Sequence, residues 1–369
     1  MRPPPEIQKQ LIQWFGTVRV TYNWALQSIK NNKVNCSPTD KYQLRHQFIT
    51  AENIPKHKSF LLDTPKDVRY SAIVDLAQAY KLNFEKRKKD PTHRFNIKFR
   101  SKKNEQSFTI PKSAIKTNDN SEMKIYPTYL KNKIKFHVRK NRFFPDIDSD
   151  CKLKMDQLKR IYLIVPFYKP ACENQTSLHK EWCAIDPGVR TFMTLYSPTP
   201  GECYKIGDGD ISRVFRLCKH LDTLSSKRGS KVRKAKFRLS QKIKNIVTEV
   251  HCKSVNFLLR NFKNIIIPPF NVSQMIKRGH RKLSKKSVRQ MLGWRHFGFR
   301  QRLIENAKLA NVQIYVKGEE YTSKTCTHCR FLKQDLRGAK VYKCQDCSLK
   351  VDRDVNGARN IFLKNVLQD

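Results

Sequence analysis

The chain has 369 residues, enough for two or three domains and a sizeable core, and carries 75 Lys+Arg against 31 Asp+Glu, a formal net charge of +44. A chain this basic repels itself unless a polyanion neutralises it, so nucleic acid is the expected partner and binding should weaken steeply with salt. A solvated basic tail is excluded, because the cations run the whole length and are interleaved with 21 Phe, 13 Tyr and 4 Trp.

Met1, Arg2 and three prolines lead into a polar helix and not into the apolar stretch of a signal peptide. No apolar run approaches the ~20 residues that span a bilayer, so no membrane role is expected. Eleven cysteines without a secretion signal point to a reducing compartment and metal binding, and the odd count weakens a disulfide framework further.

Residues 6 to 30 read as an amphipathic helix, with Ile7, Leu11, Trp14, Val18, Tyr22, Ala25 and Ile29 at spacings of three and four. A second helix starts near Pro65 and runs into the basic segment KRKKD. From about Arg94 the period becomes two. RFNIKFR places Phe95, Ile97 and Phe99 on one face of a strand. KIKFHVRK places Ile134, Phe136 and Val138 inward and Lys133, Lys135, His137 and Arg139 outward. YLIVPFY, residues 162 to 168, reads as a further strand. A β-rich module with one cationic face is expected, and that face suits phosphate contact.

Residues 152 to 181 read as a boundary. WCAIDPGVRTFMTLYSP then predicts two strands and a tight turn, and residues 208 to 236 a Lys/Arg/Ser/Gly-rich insertion or helix start. RLSQKIKNIVTEVHCKSVNFLLRNF predicts a long helix feeding IIIPPF. Three isoleucines suit a strand covered on both faces, and Pro268 and Pro269 end it. A helix near residues 290 to 312 and a strand, VQIYVKG, follow.

Cys326-Thr327-His328-Cys329 and Cys344-Gln345-Asp346-Cys347 form two CxxC pairs with 14 residues between them. Four thiolates at that spacing satisfy tetrahedral Zn²⁺ with no open position, so the zinc is expected to be structural. A redox pair is the competing reading, but such motifs come singly in another context. Asp186 ends the apolar strand WCAI before Pro-Gly, where an acid either points out of the sheet or caps a turn. After the second CxxC, VDRDVNGARNIFLKNV predicts a helix with Val355, Ala358, Phe362 and Val366 inward. Either Asp352 or Asp354 can cap it, leaving the other for chemistry.

AIDPGVRTF, NIIIPPFNVSQM, EEYTSKTCTHC and CQDCSLKVDRDVNGARNIF, in this order, resemble the TnpB family of transposon-encoded proteins, relatives of the type V CRISPR effectors. FGTVRVTYNWAL and FRSKKNEQSFTIP resemble the same family's helical and β-barrel modules. The resemblance implies a multidomain α/β protein. Residues 1–93 would form a helical, recognition-like (REC-like) region and 94–180 a wedge-like (WED-like) β module. Residues 181–369 would form an RNase H-like, RuvC-type nuclease domain with a zinc ribbon, 321–351, inserted.

It further implies an RNA-guided DNA endonuclease encoded by a mobile element and associated with DNA transposition. Its partners would be a guide RNA and double-stranded target DNA, and its cofactors one structural Zn²⁺ and two catalytic Mg²⁺. By resemblance Asp186 matches the first catalytic acid and Asp354 the third, while the family's second acid aligns with Pro268. The eukaryotic and giant-virus branch, called Fanzor, carries a glutamate on the next strand instead. Glu319 is the preferred counterpart here and Glu320 the alternative, with Ser323 read as a bystander. A Fanzor-like protein would act in a nucleus or viral factory, and otherwise in the cytoplasm. A scaffold that binds nucleic acid without cutting it is the alternative function.

Overall fold

The computed structural model describes residues 3–118, 122–130, 134–135, 146–168, 180–199, 201–277, 284–335 and 339–366. The chain divides into two compact units, Met1–Tyr168 and Lys169–Asp369. No described helix is long and apolar enough to cross a membrane.

In the first unit, helices α1 (Pro5–Lys30), α2 (Lys41–Ile49) and α3 (Lys66–Lys89) precede six strands. These are β1 (Gln106–Ile110), β2 (Ile115–Asn118), β3 (Glu122–Ile125), β4 (Ile134–Lys135), β5 (Cys151–Met155) and β6 (Ile161–Ile164). They form two three-stranded sheets, ordered β1-β5-β6 and β2-β3-β4. The heptad-like stripe of α1 is buried as expected, from Ile7 through Trp14 to Leu26. It packs on the strands and not only on other helices: Phe15 and Phe108 have ring centroids 4.7 Å apart, and one core contains Val18, Leu76, Phe108, Ile125 and Leu153. The helices before residue 93 and the strands after it therefore share one interior.

Two local expectations differ from this structure. The segment RFNIKFR is irregular and unpaired in any sheet. Asn23 of α1 takes its backbone instead, donating from Nδ2 to Arg100 O at 2.9 Å and accepting from Arg100 N at 2.7 Å. Phe95 packs against Tyr80 and Phe84, while Phe99 is exposed beneath the Lys30 ammonium. The strand expected over residues 162 to 168 stops at Ile164, before Pro166. Helix α2 has almost no amphipathic signature. Its start is set by Asp40, whose side chain accepts from Tyr42 N and Gln43 N. Of the cationic strand face at Lys133 to Arg139, only Ile134, which is buried, and the backbone of Lys135 fall within the described residues. Lys133, His137 and Arg139 lie outside them.

The second unit is built on one five-stranded sheet. Its elements in chain order are β7 (Lys180–Pro187), β8 (Met193–Ser197), β9 (Glu202–Ile206), α4 (Asp210–Ser225), α5 (Ser230–Asn261), β10 (Phe262–Ile267), α6 (Val272–Met275), α7 (Lys285–Trp294), α8 (His296–Ala310) and β11 (Gln313–Val316). A small ribbon, β12 (Val341–Lys343) with β13 (Lys350–Asp352), leads directly into α9 (Arg353–Val366). Residues 208 to 236 are thus mostly helical. The sheet order is β11-β10-β7-β8-β9. Strands β7, β10 and β11 run parallel, and β8 and β9 return antiparallel.

Both sheet faces are covered, as the isoleucine run of β10 requires. Ile265 and Ile267 enter the core shared with α5 and α8, together with Cys183, Ile185, Leu258 and Leu303. Ile266 turns the other way, onto Ala184, Ile361 and Phe362 of α9. Side chains alternate along a strand. Asp186 therefore falls on the same side as Ala184, facing α9. Ala184 is paired with Ile266, and Ile266 with Tyr315. Carried two residues further, that register puts Asp186, Pro268 and Lys317 in one row.

Candidate functional site: a carboxylate cluster and a four-cysteine centre

Asp186 ends β7, and its carboxylate is pressed against the backbone of α9. A Cβ built on Gly357 would stand 2.5 Å from Asp186 Oδ2 and 3.2 Å from its Cγ. No other residue type leaves the carboxylate that room. An interior helical glycine costs roughly 1 kcal/mol relative to alanine, and an isolated one in a periodic helix signals close packing. That was the only trace of this contact in the sequence, and the motif reading passed over it.

Asp354 and Asp352 divide their roles. Asp352 Oδ1 accepts from Asp354 N at 2.9 Å and Val355 N at 3.3 Å, which is the cap of α9. Its Oδ2 takes the Lys205 ammonium at 2.6 Å. These contacts hold the Asp352 carboxyl below its ordinary value against the opposing effect of burial. Asp354, two residues on, has the looser Arg353 Nε contact at 3.8 Å as its one ion pair among the described residues, and its charge acts on Asp186.

The two adjacent glutamates also separate. Glu320 is exposed, and its carboxylate pairs with Lys364 Nζ at 2.8 Å, which lowers its pKa. Glu319 is half-buried. Burial, and then the charge of Glu320, push its carboxyl up to about 7. Asp186 is raised well above the ordinary aspartate value by burial first, then by Asp354 and Glu319, with Arg353 opposing. Glu319 thus lies within electrostatic reach of Asp186 from β11, the strand beyond β10, although the β10 row ends in Pro268. Like charges brought together in a low dielectric favour their neutral forms, and a divalent cation relieves the same repulsion. Among the described residues, however, the three carboxylates do not bring ligand atoms within 4.8 Å of one another as the four cysteines do.

The segment between Glu319 and the first CxxC is stitched to α9. Thr322 N and Oγ1 both donate to Glu319 O, the latter at 2.8 Å. Asn360 Nδ2 donates to Thr322 O and Thr325 O, and Asn356 Nδ2 to Thr325 O. Asn356 Oδ1 accepts from Thr327 N. Asn356 and Asn360 are buried, and the sequence reading assigned them no part. Ser323, read there as a bystander, lies inside the cluster: its Oγ is 3.7 Å from the same Gly357 Cβ position that Asp186 crowds. On the opposite flank, His296 Nε2 meets Gly188 O at 3.1 Å and Trp294 Nε1 donates to Val189 O at 3.0 Å, pinning the turn after Asp186.

Cys326, Cys329, Cys344 and Cys347 come together with all four sulfurs within 4.8 Å of one another. Cys326–Cys347 and Cys329–Cys344 Sγ separations are 3.6 and 3.5 Å. Tetrahedral Zn–S bonds of ~2.3 Å place sulfurs ~3.8 Å apart, so the set can hold a zinc ion. His328 is exposed and outside the set. Tyr342, buried against the cysteines, donates to Lys324 O at 3.1 Å and closes the small core.

Comparison with known proteins agrees with the sequence resemblance. Residues 296–361 match the family model "Cas12f1-like, TNB domain", and residues 1–32 match a "Helix-turn-helix domain" model. The latter span holds a single helix here, α1. A putative transposase of Paramecium bursaria Chlorella virus 1 is 26% identical over 388 residues, covering 99% of this chain and 85% of that protein. A TnpB-like protein of Acanthamoeba polyphaga mimivirus is 28% identical over 232 residues, covering 58% of this chain and 43% of its own length. A putative RNA-guided DNA endonuclease of Escherichia coli, InsQ, is 23% identical over 379 residues, covering 98% of this chain and 90% of that one. Among solved structures, the Cas12f1–sgRNA–target DNA complex matches at a TM-score of 0.51 and 14% identity, over 97% of this chain and 83% of that one.

Proposed function

We propose that this TnpB-like chain is an RNA-guided, Mg²⁺-dependent DNA endonuclease of a mobile element. The observation that carries the reading is the buried Asp186 carboxylate of β7, packed against α9 at Gly357 and raised by the charges of Asp354 at the start of α9 and Glu319 after β11. The strand order, with three parallel strands and an antiparallel hairpin, is that of an RNase H-like domain and supports the RuvC-type assignment. The relatives' names supply the guide and the DNA, and the +44 charge suits a protein that holds backbones while base pairing reads sequence.

Glu319 stands in for the acid missing at Pro268. The register row containing Asp186 and Pro268 continues to Lys317 on β11. Glu319 follows two residues later, and its charge acts on Asp186. Glu320 is committed to Lys364, which favours Glu319 as the second acid. Asp352 caps the helix so that Asp354 does not have to. Two Mg²⁺ ions at such a trio supply an activated water and stabilise the leaving 3′ oxygen of a phosphodiester. The chain's own part is to hold three carboxylates fixed: Gly357 admits Asp186, Asn356 and Asn360 tether the Glu319 segment to α9, and the cysteine centre anchors the strand that starts α9.

The test is cleavage of guide-matched duplex DNA by the full chain, purified with the RNA transcribed beside its gene. Cleavage with Mg²⁺ that is lost in Asp186→Ala and Glu319→Ala, and kept in Glu320→Ala, supports the reading. Pro268, at the position where a second acid would complete the β10 row, favours a second reading: a nucleic-acid binder that does not cut. It predicts DNA binding without cleavage under every divalent ion.

A further inference from the structure

Resting on the reading above, we infer that the Ser323 hydroxyl is a substrate-contacting group, donating a hydrogen bond to a non-bridging oxygen of the phosphodiester held at the carboxylate cluster. Ser323 is half-buried, and among the described residues its hydroxyl has no hydrogen-bond partner. The neighbouring threonines on the same segment are engaged. Thr322 Oγ1 donates to Glu319 O, Thr325 Oγ1 donates to Tyr321 O, and the carbonyls of Thr322 and Thr325 accept from Asn356 and Asn360. The backbone on both sides of Ser323 is thus clamped to α9, while its own hydroxyl has no partner among the described residues. The Ser323 hydroxyl is therefore open to solvent at a fixed position, where it can meet a group that arrives.

Its position says what arrives. The hydroxyl lies 3.7 Å from the Gly357 Cβ position, and Asp186 Oδ2 lies 2.5 Å from the same point. Ser323 therefore borders the carboxylate that meets the scissile group. Around it Asp186, Glu319 and Asp354 offer acceptors only when ionised, and they repel a phosphate. A neutral donor at that rim contributes attraction without adding a charge that would compete with cations for the acids. Donors aimed at an anionic phosphoryl oxygen in a water-poor site give some of the larger single contributions to such transfers. Thr322 cannot serve, being buried and bonded back to Glu319.

The experiment compares single-turnover cleavage by the full chain with its co-purified RNA, using wild type, Ser323→Ala and Ser323→Thr, with Asp186→Ala as the inactive reference. Mn²⁺ affinity without DNA, read by electron paramagnetic resonance, and melting temperature are measured alongside. Ser323→Ala should cut about tenfold or more slowly, with Mn²⁺ affinity and melting unchanged, and Ser323→Thr should recover most of the rate. A Ser323→Ala rate within twofold of wild type overturns the inference and leaves the nuclease reading intact. So does a loss of Mn²⁺ affinity, which would make the hydroxyl part of the cation site, or a fall in melting temperature, which would make it structural. So, too, does a Ser323→Thr variant no faster than Ser323→Ala. A wild type that binds matched DNA but never cuts it fails the nuclease reading, and this inference with it.

Discussion

The second unit contains two groups of side chains built in opposite ways: four cysteines whose sulfurs lie within 4.8 Å of one another, and three acids linked by charge that do not close to that distance. The four cysteines come from one stretch of 22 residues, Cys326 to Cys347, and sit in a small core of their own with Tyr342. The carboxylates come from positions 186, 319 and 354, on a strand end, the segment after β11 and a helix start, and no short segment contains all three. A local cluster needs only its own turns, so its cation can stabilise the fold outright. A cluster gathered across a sheet forces like charges together and is held by the fold at a cost. Removing a ligand should therefore lower stability at the first site and raise it at the second, while cleavage is lost at both.

The largest expected effect is at the cysteines. Cys344→Ala should lower zinc content from one ion per chain toward none, lose the ribbon's protease resistance, and abolish cleavage, because β13 runs directly into α9 and Asp354. Structural zinc in small domains is worth ~10 kcal/mol or more. Intact cleavage by a zinc-free variant would break the comparison at once.

Asp186→Asn should cut at least ~10³-fold more slowly, yet melt several degrees higher in Mg²⁺-free buffer, since it removes a charge that burial, Asp354 and Glu319 all disfavour. Inactive protein that melts lower would show that the carboxylate is structural. Gly357→Ala sharpens the same point without touching a carboxylate. Its methyl would stand 2.5 Å from Asp186 Oδ2, so a ~10²-fold loss of cleavage is expected despite alanine's better helix propensity. Wild-type activity there would mean that Asp186 shifts freely.

The smallest effect is in pH. Glu319 has its folded pKa raised from 4.5 to about 7. A raised acid contributes stability that is full below about 4.5 and is lost as pH climbs through about 7. Mg²⁺-free protein should therefore melt progressively lower over that window, and Glu319→Gln should flatten the decline. Glu320→Gln, which removes a carboxylate lowered by Lys364, should not. An identical slope in Glu319→Gln would remove Glu319 from the cluster.

Much of the fold was legible because it is periodic. The apolar stripe of α1, the long α5, and an isoleucine run that must be covered on both faces all follow from side-chain spacing. RFNIKFR shows the limit of that reasoning: its alternation is real, but Asn23 captures the backbone groups a sheet would have used. The short α2 was invisible because a cap and not a stripe defines it.

By itself, the sequence determined the cysteine quartet, since CxxC pairs separated by 14 residues specify their geometry through local turns alone, and it marked Asp186 as a strand-tip acid. It left two pairs of neighbouring acids undecided. The tertiary structure separated each pair by what surrounds it. Lys205 and the α9 amides take Asp352, leaving Asp354 to the cluster. Lys364 takes Glu320, while Glu319 is half-buried and its charge acts on Asp186. The physical reason is range: residues one apart in sequence share their composition and propensity, but strand order, register and a helix packed across the sheet decide which of the two meets a partner from more than a hundred residues away.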